Sequence, residues 1–76
     1  MRSEADKRLR ELLVEARQRA DLTQAELSKR LNRPQSFVSK YERGERRLDV
    51  IEFGQVARAI GLDPLRFLRL FYRETA

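Results

Sequence analysis

Apolar residues recur at helical spacing in five stretches of the chain, and no alternating strand pattern persists between them. In the first, roughly Ser3 to Ala20, Ala5, Leu9, Leu12, Leu13, Ala16 and Ala20 fall in one stripe, which predicts an amphipathic helix with that stripe in the core. Asp21 then stands where the helix ends and a left-handed residue is needed, a conformation Asp tolerates better than most non-glycine types. Thr23 with Glu26 forms a capping box and Leu22 is placed to staple onto Leu27, so a second helix starts here with Leu27, Ser28 and Leu31 inward.

Asn32-Arg33-Pro34 predicts a tight corner, with Asn in the left-handed conformation and Pro at the first helical position. The third helix runs to Arg43 and stops at Gly44. On its wheel Gln35, Ser36, Ser39, Lys40 and Arg43 occupy an arc of about 140°, opposite Phe37, Val38 and Tyr41. One side packs and the other is free to bind. After a basic connector, Glu45 to Leu48, the residues Val50, Phe53, Val56, Ala57 and Ile60 make the stripe of a fourth helix ending at Gly61; Ile51 falls off that stripe and the pattern gives it no place. Asp63 caps a fifth helix with Pro64 at its first position. There Leu65, Phe67, Leu68, Leu70, Phe71 and Tyr72 span about 220°, wider than the roughly 100° of a surface helix, with Arg66, Arg69 and Arg73 on the narrow polar side. The surplus apolar width needs a cover.

Composition narrows what such a bundle can do. The 76 residues suffice for one small domain, and no repeat, low-complexity tract or linker divides them. Without cysteine there is neither a disulfide nor a thiolate metal site, and without histidine the usual general base and zinc ligand are missing, so no cofactor or metal is expected and an enzyme is the least favoured class. No apolar run approaches a membrane span, and the charged start Met1 to Arg10 lacks the apolar core of a signal peptide; a soluble cytoplasmic protein is expected.

Net charge is +5, and its location matters more than its size. Residues 29 to 47 hold seven bases (Lys29, Arg30, Arg33, Lys40, Arg43, Arg46, Arg47) and two acids (Glu42, Glu45), while the other ten bases and ten acids cancel. A surplus confined to one segment suits a polyanion-binding face; the charge alone is equally compatible with a solvated surface.

Three motifs in order, Leu22-Thr-Gln-Ala-Glu-Leu27, Gln35-Ser-Phe-Val-Ser-Lys-Tyr-Glu-Arg-Gly44 and Ala57-Arg-Ala-Ile-Gly61, resemble the signature of the phage Cro/repressor helix-turn-helix family, also called the xenobiotic-response-element type. The resemblance covers about Leu9 to Leu68 and implies a compact, all-α, five-helix fold over the single domain 1–76. The family usually has Gly at the positions of Asp21 and Asn32, Ala at Ser28 and an aliphatic residue at Arg33, which here puts a charge at the corner, toward phosphate.

By motif position the resemblance implies that Gln35, Ser36 and Lys40 read bases, with Ser39 a nearby candidate; Gln can pair with adenine and Lys with guanine in the major groove. Gln24 matches a position that clamps a phosphate and buttresses Gln35, a location where a helix N-terminus also offers free amides. Arg43, Arg46 and Arg47 flank the reader as further backbone contacts. Arg17 and Glu42 match an ion pair tying the first helix to the third. Two placements fit Phe37, against the scaffold or against a thymine methyl; Lys29 and Arg30 are expected in solvent or in weak backbone contacts.

The expected function is a sequence-specific transcription regulator on double-stranded DNA, a repressor acting as a homodimer on a palindromic operator, nucleoid-associated when bound. The wide face of residues 63–73, with Phe67, Leu70 and Phe71, is the candidate dimer surface. The competing class is a protein-interaction module of the same fold, an antitoxin or bridging factor acting through a regulatory protein partner.

Overall fold

Four helix starts carry side-chain caps, and these set the element boundaries. The computed structural model describes residues 3–75; Met1, Arg2 and Ala76, which the single-domain reading includes, lie outside the described residues. Five helices follow in order, α1 Glu4–Arg19, α2 Gln24–Leu31, α3 Gln35–Glu42, α4 Val50–Ile60 and α5 Pro64–Thr75, with no strand among the described residues. Ser3 with Asp6, Thr23 with Glu26 and Asp49 with Glu52 form reciprocal capping boxes at α1, α2 and α4. The Asp63 carboxylate accepts the Leu65 amide at 2.9 Å at the start of α5.

Asp21 (φ 60°) and Asn32 (φ 57°) take the left-handed conformation expected of them. Pro34 departs from expectation. It is the residue before the helix, extended at φ −60° and ψ 150°, and Gln35 takes the first helical position. Its carbonyl accepts the Phe37 amide at 3.0 Å, so Pro34 closes the corner from outside the helix. Gly44 is required by its backbone: its φ of +80° lies in the left-handed region that side chains rarely adopt.

Helices α2 and α3 pack on each other, α1 lies against α3 and α4, α2 also meets α4, and α5 closes the far side against α4. Leu13, Leu27, Val38, Tyr41 and Val56 are fully buried at the centre, with Phe37, Phe53, Ala57 and Ile60 around them. Leu27 and Ser28 of α2 and Phe37, Val38 and Tyr41 of α3 are buried, while Leu31, expected inward, is half-buried. At the ends of helices the pattern overreaches. Ala20 is exposed at the end of α1, and Val50 is 79% exposed although it is in phase with Phe53, because only the Glu52 side of the first turn of α4 is covered. Ile51, beside it, is also exposed.

The width of α5 divides in two. Phe71 is buried and Phe67 stacks on Phe53 at 5.5 Å between centroids, so both belong largely to the chain's own core. Leu65, Leu70 and Tyr72 remain exposed.

Two core hydroxyls, Ser28 Oγ and Tyr41 Oη, are buried with no hydrogen-bond partner among the described residues. Leaving a buried hydroxyl unpaired costs about 1–3 kcal/mol, whereas removing it leaves only a small void. Ser28→Ala is therefore expected to raise stability by about 1 kcal/mol and the Tm by several degrees. Leu27→Ala, next to it, should cost about 2–5 kcal/mol. Thermal unfolding of the two variants checks both; a loss on Ser28→Ala would show that the hydroxyl is satisfied.

Candidate nucleic-acid interface

Helix α3 is amphipathic in the sense a reading helix requires. Phe37, Val38 and Tyr41 are buried on one side, while Gln35, Ser36 and Lys40 are exposed on the other. None of the three has a side-chain hydrogen bond or ion pair among the described residues. Ser39 is half-buried, and its hydroxyl donates to the Ser36 carbonyl at 3.3 Å, which leaves it less free than its neighbours.

Glu42 fixes the end of this helix. Its carboxylate accepts Arg17 Nε at 2.7 Å and Nη2 at 3.1 Å, and the Gln24 amide at 2.8 Å. Arg17 Nη1 also donates to the Leu22 carbonyl at 2.8 Å. The Arg17–Glu42 pair is thus present, with side chains only 11% and 6% exposed. A carboxylate so buried needs every one of these donors. Gln24 joins the pair from the first turn of α2 and makes no bond to Gln35.

The other end of α3 is organised around Phe37. Its ring is 7% exposed, so it belongs to the scaffold, edge-on to Tyr41 at 5.6 Å. The Arg33 and Arg46 guanidiniums lie over it, 4.4 and 4.8 Å from the centroid. Both converge on Glu52, which accepts Arg46 at 2.9 and 2.6 Å in a bidentate pair and lies 3.6 Å from Arg33. The same carboxylate accepts the Asp49 amide at 3.0 Å, closing the cap of α4. The Arg46 hydrogen bonds, then the Asp49 amide, hold the Glu52 carboxyl well below its ordinary value, at about 2. This hub is absent from the sequence reading, although Asp49-x-x-Glu52 is a legible capping box of the same kind as Thr23-x-x-Glu26.

The remaining candidate backbone contacts lie at the surface. Arg43 pairs with Glu45 at 2.9 and 3.2 Å, and Arg47 reaches Asp6 at 2.7 Å. Arg30 donates to the Ala59 carbonyl at 2.9 Å near the end of α4, tying α2 to that helix, while Lys29 is exposed. Among the described residues there is no group of side chains that could hold a metal ion, and no helix is long and apolar enough to cross a membrane.

This geometry, two packed helices at a left-handed corner with the second offering a free polar face, defines a helix-turn-helix unit. A helix-turn-helix family model matches residues 13–67. Among solved structures, an XRE-family like protein from Pseudomonas syringae pv. tomato str. DC3000 is 53% identical and superimposes with a TM-score of 0.91, covering 95% of this chain and 88% of that one. No curated protein matches the chain. The chain belongs to the xenobiotic-response-element-type, Cro/repressor-like helix-turn-helix family, a family of DNA-binding transcriptional regulators.

The depressed Glu52 carboxyl sets an acid limb of stability. A carboxylate whose folded value lies below its unfolded one stabilises the fold above the unfolded value, near 4.5, and loses that contribution as pH falls toward 2. Denaturation midpoints should therefore be flat above about pH 5 and fall below it, and Glu52→Gln should lower the plateau and shallow the acid limb. An unchanged limb in that variant would move the effect to other carboxylates.

Proposed function

We propose that the chain is a sequence-specific reader of double-stranded DNA that inserts α3 into the major groove and represses by occupying an operator. The observation that carries this is the unengaged Gln35, Ser36 and Lys40 on the free side of a helix locked at both ends by Glu42 and Glu52. Gln35 is assigned to pair with adenine, Lys40 to donate to guanine and Ser36 to either, with Ser39 secondary. Gln24, Arg33, Arg43, Arg46 and Arg47 are assigned to phosphates around the groove, where they set register and bulk affinity.

A homodimer on a palindromic site belongs to the same proposal, since one reading helix contacts few base pairs and a two-fold pair doubles them at roughly 34 Å spacing. What supports it is exposed apolar surface on α4 and α5: Val50, Ile51, Leu65, Leu70 and Tyr72. Leu70 is the one of the three original candidates that is itself exposed. Helix α5 packs on α4 through Phe67 against Phe53 and leaves these side chains uncovered.

Selection of bound duplexes from a random pool is expected to return a palindromic consensus; recovery without sequence preference would instead favour the protein-interaction module. Gln35→Ala should cost about 1–3 kcal/mol on the selected site and relax preference at one base pair, whereas Arg47→Ala should weaken all duplexes alike. Equal losses on every duplex for Gln35→Ala would contradict its assigned role. By sedimentation the operator complex should contain two 9.0 kDa chains; a single chain with and without operator would remove the dimer.

A further inference from the structure

All four arginines assigned to phosphate already hold a carboxylate of their own chain. Arg33 and Arg46 share Glu52, Arg43 has Glu45 and Arg47 has Asp6. The four pairs are not alike. Glu52 is largely buried, bonded to a backbone amide and bracketed by two guanidiniums stacked on Phe37, so its pairs are part of the scaffold. Arg43 and Glu45 are 58% and 54% exposed, and the Arg47 side chain is 65% exposed, so these two arginines can exchange partners without disturbing the core.

A carboxylate and a phosphate occupy the same fork of guanidinium N–H groups. When Arg43 or Arg47 meets a phosphate, its acid must either leave the guanidinium or remain close to a second anion. Either way binding is opposed, and by the same amount on every DNA sequence, because no base edge is involved. Resting on the DNA-reading function above, we propose that Glu45 and Asp6 are internal competitors for phosphate that hold down the sequence-independent part of binding. Complexes that add the Gln35, Ser36 and Lys40 contacts then stay occupied at protein concentrations where chance duplexes do not. Asp6 serves two sites at once, since the oxygen that accepts Arg47 also accepts the Ser3 amide of the α1 cap at 3.1 Å. The competitor for Arg47 is thereby held in place by the start of α1.

The sign of the effect separates this role from a structural one. Loss of a structural ion pair weakens DNA binding, whereas loss of a competitor strengthens it. Glu45→Gln is expected to tighten binding to the selected duplex and to a random duplex by a similar factor, about two- to tenfold, as befits an exposed pair. Asp6→Asn, which keeps an acceptor for the cap, should do the same. Glu74→Gln, the same charge change on α5, should have less than about a twofold effect, and Glu45→Gln should gain much less in an Arg43→Ala background. Unchanged or weaker binding by Glu45→Gln, an equal gain from Glu74→Gln, or a full gain without Arg43 would each overturn the inference. Failure of the unaltered chain to bind any duplex would instead overturn the DNA-reading function, and this inference with it.

Discussion

The orientation of α3 depends on one nearly buried carboxylate. Glu42 lies at the end of α3 and takes hydrogen bonds from Arg17 on α1 and Gln24 on α2, so three helices meet at a single acid. Burial makes this arrangement exacting. A charge removed from water is tolerated only when its lone pairs are met, and a carboxylate with any one donor missing is a liability to the fold. Rotation or sliding of α3 would strip donors from Glu42, which is why the helix has one position relative to α1. The apolar contacts of Val38 and Tyr41 supply the bulk of the attraction, but apolar contact has little directionality, and the acid supplies it.

Glu52 does the equivalent work at the corner. It joins the first turn of α4 to the connector through Arg46 and to the helix-turn-helix corner through Arg33, with the Phe37 ring filling the space beneath both guanidiniums. Helix α3 is thus held at each end by an acid that takes arginine partners from other elements. The residues between those ends that face outward, Gln35, Ser36 and Lys40, are left without intramolecular duties among the described residues.

Much of this was readable from local pattern, and the reasons for the rest are physical. Helix starts with capping boxes, left-handed residues at Asp21 and Asn32, and the division of α3 into buried and free sides all follow from chemistry within a few residues, which sequence displays directly. The Arg17–Glu42 pair came from family likeness, since 25 residues separate its members. What sequence could not display was partner choice among many candidate ions. The surplus of basic residues between 29 and 47 read as a free cationic face, yet Arg46 and Arg33 turn inward to Glu52, and Arg47 finds Asp6 across 41 positions. Periodicity likewise marks which residues share a face but not where the neighbouring helix ends, so Val50 reads as core although it is exposed, and Phe71 reads as a dimer-surface candidate although it is buried within the chain.

Two buried ionisable groups beside or on α3, Glu52 and Tyr41, move their proton exchange away from neutrality. Glu52 releases its proton only near pH 2, and burial pushes the Tyr41 phenol upward from its ordinary value. The chain also lacks histidine and cysteine, the side chains that ordinarily gain or lose protons around pH 7. With neither side chain present, an encounter with a polyanion near neutral pH is expected to exchange salt ions rather than protons. Ionic strength and protein concentration, not acidity, are the solution variables to which such a surface responds.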